Sequence, residues 1–361
     1  MHRFRSDLKD RKVAHITVPL KRRMMCLNES VLDPYQSVRE AFLLRMDQVH
    51  LNRYFSEVSV ELAQELADYV GHGVTPDMVV WGNGADDMLY HVFMAVREND
   101  RSFLAAMSPS YFDYKCYANA VGLQARFVPL DEHFDFDLAA YLALAADPDC
   151  KLCVVCQPNN PTGNLFDEEK ILAILRGTTK PVLVDEAYFE FAGQTLVSKL
   201  DEFPNLMVVR SFSKSFSAAG LRFGYLVSQR ENTDQVRKVM TFFHSSIFIQ
   251  TLALTMLEHR AVFIEHTRRV CEMRDELLAA MCQIPGLRVW PSHTNFLLFS
   301  AGDCSAALHL HLQDCGIAVR DVGAHPRLAE CLRVTVTSED DNRVFLKSMR
   351  TFLDGKDKRR T

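Results

Sequence analysis

Apolar residues recur at helical spacing from Ser56 onward, through Val60, Leu62, Ala63, Leu66, Ala67 and Val70, and predict a helix. A short apolar run, Val79-Val80-Trp81, then stops at Gly82-Asn83-Gly84. Ala85-Asp86-Asp87 opens a second helix, carried on by Leu89, Val92, Phe93 and Val96. Residues 102–107, 151–156, 206–210 and 223–228 read as further strands, as does Val-Leu-Val ending in Asp185, with a helix at 166–176 between them. Strands alternating with helices in this way predict a mostly parallel sheet. A long helical stretch over 246–281 leads to a second group of candidate strands at 287–290, 296–299, 318–321 and 332–336. Residues 1–24 are charged and aperiodic and are expected to form a mobile arm.

At 361 residues the chain exceeds one ordinary core, so two domains are expected. A hydrophobic share of 48% beside 24% charged residues fits a globular chain, and a net charge of −5 gives nucleic acid and anionic membranes no handle. No run approaches the roughly eighteen apolar residues of a membrane span, and the first residues lack an apolar signal core. A cytoplasmic protein is expected. Cys150, Cys153 and Cys156 have a spacing that suggests a metal site. On a buried strand, however, residues three apart face opposite ways, and no fourth cysteine follows at a suitable distance. No metal is expected there. Nor is one expected at His309 and His311, which do not share a helix face and should be solvent-facing.

The chemistry concentrates in Ser211-Phe-Ser-Lys-Ser-Phe-Ser-Ala-Ala-Gly-Leu-Arg-Phe-Gly-Tyr225. Phe212 and Phe216 give Lys214 an apolar setting that favours its neutral, nucleophilic form. Ser211, Ser213 and Arg222 can grip a phosphate dianion. A Schiff-base lysine beside a phosphate clamp is what pyridoxal phosphate requires. Asp185 ends an apolar strand, where ligands gather in open α/β sheets, and can pair with a protonated pyridine nitrogen. Tyr188 and Asn160 can each reach that ring's phenolic oxygen. The strand, glycine turn and helix start at Gly84, Ala85 and Asp86 form an anion site, because first-turn N–H groups lack internal partners. The Asp86 carboxylate is expected to cap its helix.

With these residues in view, the chain resembles the fold-type I pyridoxal-phosphate aminotransferases, and within them the histidinol-phosphate aminotransferase branch. Asn-Asn-Pro-Thr-Gly (159–163), Asp-Glu-Ala-Tyr (185–188), Ser-Lys (213–214) and Gly-Leu-Arg-Phe-Gly-Tyr (220–225) carry the resemblance. Gly-Asn-Gly-Ala-Asp (82–86), Pro-Ser-Tyr (109–111), Thr-Asn-Phe (294–296) and Leu-Arg-Val-Thr (332–335) support it. It implies an α/β fold: a large domain with a mostly parallel seven-stranded sheet covered by helices, plus a smaller α+β domain. The expected division is 1–40 as arm and part of the small domain, 41–250 as the large domain and 251–361 as the small one. The resemblance assigns the cofactor phosphate to Gly84, Ala85 and Asp86, ring stacking to Tyr111, and the substrate carboxylate to Arg333, whose planar fork suits it. Arg320 is implied near the substrate, and Tyr54 at the neighbouring subunit's cofactor, hence a homodimer with shared sites. The substrates implied are a small amino acid or histidinol phosphate-like amine and a 2-oxo acid, with Lys214 as attachment point and general base.

Some positions depart from the branch. Met240-Thr-Phe-Phe-His244 replaces an Arg-Pro-Pro-Tyr-Asn segment, Asn28-Glu-Ser-Val31 replaces Asn-Glu-Asn-Pro, and Leu32 stands where a tyrosine is common. A pocket lined by Met240, Phe242, Phe243 and Leu32 would favour a more apolar substrate. A decarboxylase of the same fold, similar to the threonine-phosphate decarboxylases, is the alternative activity. A non-enzymatic descendant is a third reading, opposed by the complete set Asn160, Asp185, Tyr188, Lys214, Arg222 and Arg333.

Overall fold

The structure is a computed structural model that describes residues 20–54 and 56–357. Its strands are β1 (Arg23–Met25), β2 (Val79–Gly82), β3 (Phe103–Ser108), β4 (Gln124–Pro129), β5 (Cys150–Cys156), β6 (Val182–Asp185), β7 (Leu206–Ser211), β8 (Gly224–Ser228), β9 (Arg288–Val289), β10 (Phe296–Ser300), β11 (Ile317–Asp321) and β12 (Cys331–Thr335). Seven of them form one sheet in the order β2-β8-β7-β6-β5-β3-β4. The five from β7 to β4 pair in parallel, and β8 runs antiparallel to both its neighbours. Helices cover both faces, so Val182, Leu183 and Val184 are all fully buried. That is why β5, β6 and β7 read as unbroken apolar runs instead of alternating ones.

Local signals set the helix starts. Ser56 caps the helix Glu57–Val70 by accepting from the Val58 N–H at 3.2 Å, and Asp167 caps Glu168–Gly177 through the Glu169 N–H at 3.0 Å. Val60, which fits the apolar spacing of the first helix, is exposed, and the buried stripe runs through Val58, Leu62 and Leu66.

The other five strands form a second sheet, β1-β11-β12-β10-β9, antiparallel except for β1 beside β11. The helices Arg260–Cys282, Ser305–Asp314 and Glu339–Asp357 pack around it. Strand β1 corrects the expectation of a mobile arm over 1–24. The Arg23 N–H donates to the Gly316 carbonyl at 3.0 Å, and Arg23 also pairs with Asp340 and Asp341. The rest of that expectation, residues 1–19, lies outside the described residues. The expected long helix is in fact two, Ile247–Glu258 and Arg260–Cys282, which bend by 73° where His259 leaves helical geometry. No single helix among the described residues is long and apolar enough to cross a membrane.

The three cysteines do not alternate between faces as residues three apart on a regular strand would. A register shift between Phe103 and Leu104, where β3 meets β5, puts Cys150 and Cys153 into the same core cluster, whereas Cys156 faces the other. No group of His, Cys, Asp and Glu among the described residues could hold a metal ion. His309 and His311 are half-buried, not solvent-facing. Their Nε2 atoms lie 3.2 Å from the carbonyls of Val319 and Ser348 respectively.

One close approach ties the first sheet to its active edge. A Cβ on Gly224 would lie 2.2 Å from the Ala85 nitrogen, so β8 touches the start of the helix Ala85–Val96 only because residue 224 has no side chain. Gly224→Ala should lower stability by about 1–3 kcal/mol, read as the denaturant midpoint of the cofactor-free protein. An unchanged midpoint would contradict this packing.

Candidate active site

Parallel strands β5, β6 and β7 end side by side at Cys156, Asp185 and Ser211, and the residues that follow them build the site. Asp185 is buried. Its Oδ2 accepts from the Tyr114 hydroxyl at 2.6 Å and its Oδ1 from the Ala187 N–H at 3.1 Å. Burial pushes the Asp185 pKa up to about 6, opposed by those two donors. Sequence reasoning missed Tyr114. The available signal was its place one helical turn past Tyr111, at the start of the helix Asp113–Val121.

Lys214 sits on the turn after β7, which is pinned by Phe212 and Phe216 stacked at 4.1 Å. Its Nζ donates to the Leu27 carbonyl at 3.1 Å. Burial, with Arg333 and Arg222 nearby, lowers its pKa to about 8 against the opposing pull of Glu29 and Asp86. On the same turn, the Ser211 hydroxyl accepts from the Ser213 N–H at 3.1 Å.

The expected anion cradle assembles around the turn at Gly84, where φ is +93°. A Cβ there would lie 2.7 Å from Arg222 Nη2, and Ser211 pairs in register with Gly224, which abuts Ala85. Arg222 itself holds a left-handed backbone, φ +57°, a conformation that non-glycine residues adopt at a cost. The Asp86 carboxylate is not a helix cap. It accepts from Arg222 Nη2 and from the Tyr111 hydroxyl, both at 2.9 Å, while Asp87 folds back onto the Asn83 N–H.

Arg333 is buried. It donates to Asn160 Oδ1 at 2.6 Å and to the Cys26 carbonyl at 3.0 Å, leaving its Nε without a partner among the described residues. Arg320 lies opposite it in the β11–β12 register and is exposed. Tyr188 does not stand alone: its hydroxyl accepts from Asn28 Nδ2 at 2.8 Å, and burial raises its pKa to about 12. Asn28, at φ +55°, also takes part in bonds with Thr335 and Asn295. Sequence reasoning treated Asn28 only as a departure from a motif. His325, also missed, reaches across to Ser108 at 2.9 Å.

Two expected groups stand apart. Tyr54 is 82% exposed and stacks on Phe243 at 4.5 Å, while Phe242 is 93% exposed. Both phenylalanines lie at the surface of their own chain, which corrects the expectation that they line a pocket within it. Met240 and Leu32 are partly buried against the core clusters.

A helix start with free N–H groups at Ala85 and Asp86, a glycine cradle against a guanidinium, a buried carboxylate and a lysine shifted toward its amine suit one kind of ligand. They fit pyridoxal phosphate, and together with the sheet they define a fold-type I pyridoxal-phosphate enzyme. The chain matches the family "Aminotransferase class I and II" over residues 24–349. It is 35% identical to histidinol-phosphate aminotransferase 2 of Nitrosococcus oceani over 313 residues, 86% of each chain. It is 33% identical to the histidinol-phosphate aminotransferase of Caldanaerobacter subterraneus over 336 residues, 93% of this chain and 94% of that one. Among solved structures, histidinol-phosphate aminotransferase from Sinorhizobium meliloti in complex with pyridoxal-5'-phosphate superposes with a TM-score of 0.85 at 22% identity, covering 98% of both chains. The chain belongs to the class I and II aminotransferases and is a pyridoxal-phosphate-dependent aminotransferase.

Asp185 binds its proton more tightly folded than unfolded, so stability is lost as pH rises from about 4 through about 6. Asp185→Asn removes that loss. In the cofactor-free protein it should be more stabilising at pH 8 than at pH 4, by roughly 1–3 kcal/mol in denaturant titrations. An equal effect at both pH values would contradict the burial of an ionised carboxylate.

Proposed function

We propose that Lys214 both anchors the cofactor and moves the substrate's α-proton, and that the substrate is an amine carrying an anionic group, of the histidinol phosphate kind. The observation that carries this reading is a half-buried lysine, with its pKa lowered to about 8, between an anion cradle and a buried arginine. Pyridoxal phosphate, when bound, supplies an electron sink for the charge left at the substrate's α-carbon. Ala85 and Asp86 offer backbone N–H groups to the phosphate, and Ser211, Ser213 and Arg222 add hydroxyls and a guanidinium. Tyr111 would pack against the cofactor ring. Asp185 keeps a proton on the pyridine nitrogen, and Tyr114 holds the Asp185 carboxylate in place. Asn160 and Tyr188 orient the ring through its phenolic oxygen.

Lys214, in its neutral form, would take the proton from the α-carbon and return it two bonds away, on the carbon beyond the amine nitrogen. Arg333 grips the substrate's anionic end, and Arg320 on the neighbouring strand adds a second cation to that region. The names of the relatives support histidinol phosphate as the amine and a 2-oxo acid as acceptor. Buried, unbridged thiols at Cys150, Cys153 and Cys156 support a reducing compartment, the cytoplasm.

We further infer a homodimer. Tyr54, Phe242 and Phe243 present an exposed aromatic face that a second copy would cover, bringing Tyr54 to the partner's cofactor phosphate. Sedimentation should give twice 41.2 kDa, and Phe243→Glu should lower both the mass and the activity. A fully active monomer would overturn this part.

Adding single amines to the holoenzyme tests the substrate. Histidinol phosphate should bleach the cofactor's visible absorbance and leave the amino group on the cofactor. Lys214→Ala should cut turnover at least ~10²–10⁴-fold. Unchanged absorbance with that amine, or release of CO₂ from an amino acid instead, would refute the reading.

A further inference from the structure

A small cavity lies against Lys214, walled by Ser30, His266, Asn295 and Thr337 and closed by the apolar side chains of Phe191 and Val270. It offers about 10 Å³ to the centre of a water molecule, which is room for about one.

Two of its walls carry buried polar atoms with no partner among the described residues, Asn295 Oδ1 and Thr337 Oγ1. Their residues are 3% and 2% exposed. The Asn295 amide cannot be turned around. Its Nδ2 donates to the Asn28 carbonyl at 3.1 Å, and a carbonyl accepts only, so Oδ1 is the atom left over. Thr337 is also held from outside the cavity, by paired bonds of its backbone N–H and carbonyl with the Asn342 side chain. A buried acceptor left unpaired costs about 1–3 kcal/mol, so two at one small cavity call for a common donor.

Lys214 supplies a further reason. A lysine that alternates between ammonium and amine needs an acceptor for its N–H groups and a donor for its lone pair. The Leu27 carbonyl, its partner at 3.1 Å, can only accept. Water does both. Elsewhere in the lining, the Ser30 hydroxyl and His266 Nε2 already satisfy one another at 2.8 Å, and Ser30 also accepts from the Leu32 N–H at 3.1 Å. That pair closes the cavity without competing for its contents.

We propose that this cavity is a binding site for one ordered water: it donates to Asn295 Oδ1 and Thr337 Oγ1 while accepting from the Lys214 ammonium, and it donates to the Lys214 amine once the Thr337 hydroxyl rotates to donate to the water. Three polar contacts are the number typical of a buried structural water.

A crystal structure of the holoenzyme should hold one well-ordered water within ~3.2 Å of both Asn295 Oδ1 and Thr337 Oγ1. Thr337→Val, which keeps the volume and removes the hydroxyl, should cut its occupancy by at least half, whereas Thr337→Ser should keep it. Oxygen-17 relaxation dispersion reads the same event in solution, as one long-lived internal water fewer in Thr337→Val than in the wild type. Absence of solvent density at that position in the wild type would overturn the proposal. So would equal occupancy in Thr337→Val, or loss of the water from a folded Thr337→Ser.

Discussion

Parallel hydrogen bonding between β3, β5, β6 and β7 brings four strand ends onto one edge of the sheet, and the centre of the site depends on that alignment. Tyr111, Asn160, Asp185 and Lys214 are far apart in the chain, yet each lies at or just past the carboxyl end of one of these strands. Cys156 pairs with Asp185, and Asp185 with Val209, so a slip of one residue would turn the carboxylate to the other face of the sheet. The two antiparallel pairings of β8 complete the edge. They bring Gly224 and Arg222 against the helix start at Ala85.

The second dependence is on polar compensation. The site holds two cations, Lys214 and Arg333, in surroundings that disfavour charge, and burial lowers the pKa of each. Backbone carbonyls of one short segment meet both: Cys26 accepts from Arg333, and Leu27 from Lys214. The next residue, Asn28, fastens that segment to Thr335, Asn295 and Tyr188. The strap that follows β1 thus links the second sheet to the lysine of the first. Behind β7, Arg210 and Glu186 form a buried ion pair at 2.9 Å, with the Phe189 ring 3.5 Å from the guanidinium carbon. Satisfied from several sides, that pair keeps the neighbouring strand ends rigid.

Much of this was legible in the amino-acid order because the central strands are unbroken apolar runs that end in polar or glycine-rich turns. Asp185, Lys214 and Gly84 could be placed from that pattern alone. Strand β1 could not, since Arg23–Met25 is short, charged at one end and ordered by partners near residue 317. Asn28 stayed invisible for a related reason: its bond to Tyr188 reaches 160 residues along the chain, and nothing local predicts it. Tyr114 had one local signal, its place a turn past Tyr111, but its partner Asp185 lies 71 residues away. Asp86 misled because an acidic residue in a first helical turn is ordinarily a cap. Here Tyr111 and Arg222, 25 and 136 residues away, compete successfully for its oxygens. Phe242 and Phe243 looked like pocket lining because apolar residues are read as buried. The single chain leaves them at its surface.

The proposed chemistry rests on Lys214 as the residue joined to the cofactor. Borohydride reduction of the holoenzyme, followed by proteolysis and mass spectrometry, tests it most directly. A pyridoxyl-phosphate adduct should appear on the peptide containing Lys214, and be lost when Lys214→Ala is treated in the same way. A stoichiometric adduct on another lysine, or none on a protein that transaminates, would contradict it.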